Sequence, residues 1–171
     1  MTIEEARPFT DTLQFKVMRM IVGAANPLIR WLLGSRLAGP LARSLLLLRY
    51  TGRKSGRTFS TPVGYVRKGT RVVVVTSPVY TWWRNVVAGA DVEVRLDGLW
   101  RTARAQLLTP DDPGYDDAVA FYVARRGPAM LRGLGLSVGD DGRVPPEARA
   151  AAPSHAHIVQ IDLTRDASNA S

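Results

Sequence analysis

The residues with the clearest potential for chemistry lie in one short stretch, TGRKSGR, at residues 51–57. Between Gly52 and Arg57 it holds three cations, one hydroxyl and a second glycine, which are Arg53, Lys54, Arg57, Ser55 and Gly56. Clustered cations, together with backbone N–H groups near glycine, bind phosphate or carboxylate. We name residues 52–57 the basic turn and predict that it binds an anion. A solvent-exposed hairpin turn has a similar composition, so the flanking sequence must decide between the two interpretations.

Other classes of chemical site are disfavoured. The basic turn is not a P-loop, because Lys54 precedes the second glycine and strand-like segments flank it on both sides. The chain has no cysteine, which excludes thiol nucleophiles, thiolate metal sites and disulfides. His155 and His157 alternate along a predicted strand, but no third ligand follows at metal-binding spacing, so we expect no metal.

The formal charge of +8 and the pI near 10.6 favour a polyanionic partner: nucleic acid, an acidic membrane face or a multiply charged small molecule. Arginines interrupt every apolar stretch before it reaches the roughly 20 residues that span a bilayer. The N-terminus carries acids where a secretory signal carries bases. We therefore expect a cytoplasmic protein. Basic helices near the N-terminus allow peripheral contact with the inner membrane face, although packing on their own domain is the favoured interpretation.

The elements that position the basic turn are strands. Residues 10–43 predict two or three short helices broken at Gly and Pro. From residue 44 onward, six strand-like runs follow, interrupted by a short helical segment at 81–89. A further helix is predicted from near Pro113, and the Gly- and Pro-rich residues 128–154 are predicted to form a loop or lid. We divide the chain into a helical segment (1–43), a small antiparallel barrel or coiled sheet (44–165) and a frayed tail (166–171).

A longer string around the basic turn resembles a known family. LLLLRYTGRKSGRTFSTPVGYV, followed by VVVVTS and WWRNV, resembles the deazaflavin-dependent nitroreductases, which are split β-barrel oxidoreductases that use coenzyme F420. The resemblance covers roughly residues 45–109 and is specific as a combined string. It implies an α+β fold: a small, mainly antiparallel split β-barrel of about six strands, with N-terminal helices and one or two flanking helices.

The resemblance also implies the cofactor-binding residues. The coenzyme carries a phosphodiester and an oligoglutamate tail, which the basic turn would hold through Arg53, Lys54, Ser55, Gly56 and Arg57. A second set would border the deazaflavin ring: Thr61, Pro62, Val63, Thr76, Ser77, Trp82 and Asn85. Trp82 has an equally weighted alternative as a core anchor. FMN is the less favoured alternative cofactor.

Hydride transfer needs orientation, a dry pocket and at most one proton donor. The candidate donors are Ser77, Tyr65 and Tyr122, although core packing is the favoured explanation for each tyrosine. The chain departs from the family at Phe59, where an arginine is common. Residues 57 and 59 face the same side of a strand, so we expect Arg57 to take that arginine's place.

Three functions remain open at this stage. The favoured one is hydride transfer between reduced F420 and a hydrophobic electrophilic acceptor of quinone, enone or nitroaromatic type. The second is a non-catalytic carrier of a flavin-like, haem-like or fatty-acid ligand. The third is a barrel that binds nucleic acid, which is disfavoured because its aromatics do not alternate with Lys and Arg on one strand face. We expect a monomer or a homodimer.

Overall fold

The computed structural model describes residues 45–164. The predicted N-terminal helices and the tail at 166–171 lie outside the described residues. The strands are β1 (Leu45–Thr51), β2 (Thr58–Gly64), β3 (Val66–Lys68), β4 (Arg71–Thr76), β5 (Ala90–Leu96), β6 (Leu99–Leu108) and β7 (His157–Leu163). They form one sheet in the order β2-β1-β5-β6-β7-β4-β3, and every neighbouring pair is antiparallel.

The sheet curls because its two edge strands are consecutive in the chain. Only Tyr65 separates β2, which pairs with β1, from β3, which pairs with β4. β2 and β4 contact each other without a hydrogen-bonded ladder among the described residues. This curled antiparallel sheet confirms the barrel prediction and fits a split barrel. The strands number seven where six were expected, because the second predicted strand breaks at Tyr65.

Side-chain alternation divides the apolar residues between two cores. Val72 and Val74 face an inner core enclosed by the curl, and Val73 and Val75 face an outer core between the sheet and the helices. β4 is therefore buried on both faces, which explains its uninterrupted run of valines. β5 buries alternate residues only, as its pattern of valine and charge predicted.

Within the described part of the chain, four helices cover the outer core: α1 (Tyr115–Arg126), α2 (Ala129–Gly133), α3 (Pro146–Arg149) and α4 (Ala152–His155). The start of α1 lies two residues from the predicted position. The prediction of a loop or lid at 128–154 was wrong in part, because this segment contains the short helices α2, α3 and most of α4, joined by irregular stretches. Its residues Leu131, Leu136 and Val144 are at most 3% exposed in the outer core. No helix within residues 45–164 has the length and apolar character needed to cross a bilayer.

A single turn of 3₁₀ helix, Trp82–Asn85, replaces the longer helix predicted at 81–89. It follows β4, and the Trp82 side chain inserts into the inner core with 6% exposure. Val86, directly after it, is fully buried in the same core. These two side chains anchor the 3₁₀ helix against the barrel and thereby fix the residues around it.

Candidate functional site

The basic turn connects β1 to β2 and closes on itself. Gly52 N–H donates to the Arg57 carbonyl, and Gly56 N–H donates to the Gly52 carbonyl, each at 2.8 Å. Gly56 has φ +65°, a left-handed conformation that glycine adopts without strain. Arg57 N–H donates to Ser55 Oγ at 3.3 Å. The charged side chains of the turn are exposed to solvent.

Asn85 ties the basic turn to the 3₁₀ helix. Its Oδ1 accepts a hydrogen bond from Arg53 N–H at 3.0 Å, and its Nδ2 donates to the Trp82 carbonyl at 2.9 Å. Trp82 is itself held in the inner core. The position of the turn therefore depends, through Asn85, on the packing of a buried tryptophan. Asn85 acts here as a positioning residue.

A cavity of about 440 Å³ lies between the basic turn and the 3₁₀ helix. Its lining residues are Tyr50, Gly52, Arg53, Lys54, Ser55, Phe59, Thr81, Arg84 and Asn85. Three of them are cationic and none is a carboxylate. We name it the anion cavity, because a cleft lined by one sign of charge concentrates ions of the opposite sign.

The three cations of the anion cavity have no counter-ion among the residues that the structure describes. Within residues 45–164, no ion pair involves Arg53, Lys54 or Arg84. Elsewhere on the described surface the arginines are commonly paired, as in Arg49–Glu93 at 2.8 Å and Arg149–Asp116 at 2.8 Å. No described carboxylate compensates the charge of the cavity, and an anionic ligand would neutralise it.

The anion cavity contains four of the predicted cofactor-binding residues, Arg53, Lys54, Ser55 and Asn85. Gly56 and Arg57 belong to the turn but do not line the cavity. Trp82 is a core anchor and does not line it either.

Four lining residues were missed from the sequence: Tyr50, Phe59, Thr81 and Arg84. The three-residue spacing of Thr81 and Arg84 puts both on one side of a 3₁₀ turn, a signal that the expectation of an α-helix obscured. Phe59 was noted only as a departure from the family, and nothing in the pattern of β1 marks Tyr50 as more than a core residue.

The residues predicted to border the ring lie farther along β2 and at the end of β4. Val63 is buried in the inner core at 7% exposure, and Thr61 shares its face because strand residues alternate. Pro62 therefore points to the opposite face. Thr76 and Ser77 are 6% and 4% exposed, and Ser77 Oγ accepts a hydrogen bond from Val79 N–H at 3.4 Å.

Neither predicted tyrosine donor reaches the anion cavity. Tyr65 follows the far end of β2, about 20 Å from the basic turn at the usual rise per strand residue. Burial, followed by the charge of Asp97, raises the pKa of Tyr65. Tyr122 lies in the outer core, on the other face of the sheet, and its hydroxyl donates to Met130 Sδ at 3.1 Å. Burial raises the pKa of Tyr122 as well.

A buried histidine packs against the 3₁₀ helix that borders the anion cavity. His157 is 8% exposed and pairs with Thr76 across β4 and β7. Its ring centroid is 3.9 Å from that of Trp83, and the Arg84 guanidinium carbon is 5.4 Å from the Trp83 ring. Burial and then the charge of Arg84 lower the pKa of His157, so its imidazole is neutral at pH 7. Within residues 45–164, no three metal-ligating side chains cluster.

The sequence matches a known protein family. A family model described as F420H(2)-dependent quinone reductase matches residues 29–121, more than half of the chain. The match confirms the resemblance to F420-dependent oxidoreductases seen in the strands around the basic turn. Its description names quinone reduction and not nitro reduction. No protein of curated function matches the chain.

Several solved structures are similar in fold. HutZ, the heme storage protein from Vibrio cholerae, is 12% identical, with 82% of this chain and 90% of that chain covered and a TM-score of 0.45. An F420 reductase is 14% identical, with 71% and 87% covered and a TM-score of 0.39. A pyridoxamine 5'-phosphate oxidase-related, FMN-binding protein from Nostoc punctiforme is 15% identical, with 81% and 80% covered and a TM-score of 0.45.

Proposed function

The chain belongs to the F420H(2)-dependent quinone reductase family, and we propose that it transfers a hydride from reduced coenzyme F420 to a hydrophobic electrophilic acceptor. Quinones, enones and nitroaromatics are the proposed acceptor classes. The observation that carries the proposal is the uncompensated positive charge of the anion cavity, which complements the phosphodiester and oligoglutamate tail of this coenzyme.

The donor set of the anion cavity fits such a tail. Arg53, Lys54 and Arg84 offer charge-assisted hydrogen bonds to phosphate and carboxylate oxygens. Ser55 Oγ already accepts the Arg57 N–H, which leaves its own O–H to donate to an anion. We assign these four side chains to the acidic tail. Asn85 contributes indirectly, because its amide is already engaged in holding the turn.

The proposed ring site is the split between β2 and β4, bordered by Thr61, Pro62, Val63, Thr76 and Ser77. When bound, the reduced coenzyme would supply the hydride. The chain's own contribution would be to hold the tail, orient the ring and exclude water through the adjoining inner core. Of the predicted proton donors, Ser77 lies at this split, and its own O–H is left to donate because its Oγ accepts from Val79 N–H. Tyr65, which shares the inner core with Val63, stays a candidate, whereas Tyr122 lies in the outer core.

A fluorescence titration with oxidised F420, run beside one with FMN, tests the proposed cofactor. We expect saturable binding of F420 and weaker binding of FMN. Mixing the protein with reduced F420 and a panel of quinones and nitroaromatics then tests catalysis, and coenzyme oxidation that depends on both protein and acceptor is expected. Absence of F420 binding would refute the proposal. Tight binding without turnover on any acceptor would favour the non-catalytic carrier.

A further inference from the structure

Tyr50 and Phe59 form one wall of the anion cavity, which we name the aromatic wall. A ligand that carries only charged groups makes no stacking contact with it. Tyr50 and Phe59 face each other across β1 and β2, and their rings stack with centroids 5.8 Å apart and planes 26° apart. Both rings line the cavity, and Phe59 is 42% exposed. An exposed ring supported from behind by a second ring is a platform on which a planar ligand group stacks.

The aromatic wall lies directly against the basic turn. A Cβ atom added at Gly52 would lie 2.7 Å from Phe59 Cε2 and 2.8 Å from Ser55 Oγ. The absence of a side chain at Gly52 therefore lets the ring of Phe59 pack beside the backbone of the turn. As a result, a flat apolar surface and an anion-binding hydroxyl lie next to each other in one cavity.

The cavity is also much larger than an inorganic anion. Its volume of about 440 Å³ falls within the range typical of small-molecule sites. A ligand that fills it needs a phosphate for the three cations and a flat apolar group for the wall. We propose that the anion cavity binds phosphorylated aromatic compounds, of which nucleoside monophosphates are the natural class. The phosphate would contact Arg53, Lys54 and Arg84, and the base would stack on Phe59.

This proposal shares its cavity with the coenzyme tail of the proposed function, but it requires no hydride transfer. Calorimetric titrations with AMP and with ribose 5-phosphate isolate the contribution of the base, because the two ligands have the same sugar and phosphate. We expect AMP to bind about tenfold more tightly, as stacking on one aromatic ring provides. Equal affinities, or no binding of either ligand, would overturn the proposal.

Substitution at the wall provides the second test. Phe59→Leu keeps an apolar side chain and removes the ring, so the tenfold advantage of AMP should disappear while ribose 5-phosphate binds as before. Phe121→Leu, on α1 and packed against the outer core, is the matched control and should change neither affinity. If Phe59→Leu leaves the advantage of AMP intact, the base does not stack on this wall and the proposal fails.

Competition distinguishes this proposal from the proposed function. AMP should displace oxidised F420 from the protein, since both would use the same cations. If AMP binds without displacing bound F420, its site is elsewhere and the inference is wrong. If AMP binds and F420 does not, the proposed function fails while the inference stands. A single-stranded oligonucleotide that binds more tightly than AMP, with steep salt dependence, would overturn the mononucleotide assignment in favour of a polynucleotide.

Discussion

Asn85 offers the sharpest test of how the anion cavity is built. Asn85→Ala removes the acceptor of Arg53 N–H and the donor to the Trp82 carbonyl. Each hydrogen bond contributes a net 0.5–1.5 kcal/mol or so, and we therefore expect the free energy of unfolding to fall by about 1–3 kcal/mol. Because the basic turn loses its tether, the affinity for pyrophosphate should fall as well. Urea denaturation measures the first effect and calorimetric titration the second.

Asn85→Asp separates positioning from charge. The carboxylate still accepts from Arg53 N–H but cannot donate to the Trp82 carbonyl, so its effect on stability should be smaller than that of the alanine variant. It also introduces a negative charge into the cavity, so pyrophosphate should bind more weakly than to Asn85→Ala. Gln106→Ala, an exposed amide on β6, is the control. Tighter pyrophosphate binding by Asn85→Asp than by Asn85→Ala would refute the reasoning, as would wild-type stability of Asn85→Ala.

Lys54, His157 and Tyr122 can each be tested by a single substitution. Lys54→Ala should weaken coenzyme binding by about 1.5–3 kcal/mol, the usual contribution of a hydrogen bond to a charged group. The control Lys68→Ala, on β3, should leave coenzyme binding unchanged. Equal losses of affinity for the two variants in a fluorescence titration would contradict the prediction. The lowered pKa of His157 means that the unfolded state binds a proton first as pH falls below about 6.5. Stability should therefore decline with acidification from that pH, and His157→Asn should flatten the slope in urea titrations at several pH values; an unchanged slope would show that another group is responsible. Tyr122→Phe removes the hydrogen bond to Met130 Sδ and should lower the free energy of unfolding by less than about 1.5 kcal/mol. The rate of coenzyme oxidation should not change. A large loss of rate would show that the Tyr122 hydroxyl takes part in the reaction.

The strands and the basic turn could be predicted from the sequence because their signals are local. Alternation in β5, the valine run of β4 and the Asp97-Gly98 turn each depend on neighbouring residues only. Asp97 and Gly98 both have positive φ, as the tight hairpin between β5 and β6 requires. The resemblance to the family then added the prediction that the basic turn and Asn85 bind the cofactor.

What could not be predicted depends on contacts between distant segments. Arg84 reaches the anion cavity because the chain after β4 makes one 3₁₀ turn beside the basic turn, and no local pattern specifies that meeting. The Gly- and Pro-rich residues 128–154 lack a clear helical period, yet their apolar side chains find a partner surface on the outer face of the sheet. Tyr65 and Tyr122 were candidates by residue type, and only the three-dimensional fold separates them from the cavity.

The position of β7 has a consequence for how the protein is made. β7 lies between β6 and β4 in the sheet, although it is the last strand of the described residues. Before it is added, the hydrogen-bonded strands comprise two separate groups, β2-β1-β5-β6 and β4-β3, with open edges at β6 and β4. A ribosome must therefore finish nearly all of the described residues before the sheet can assemble, and these two edges stay unpaired until residues 157–163 have been made.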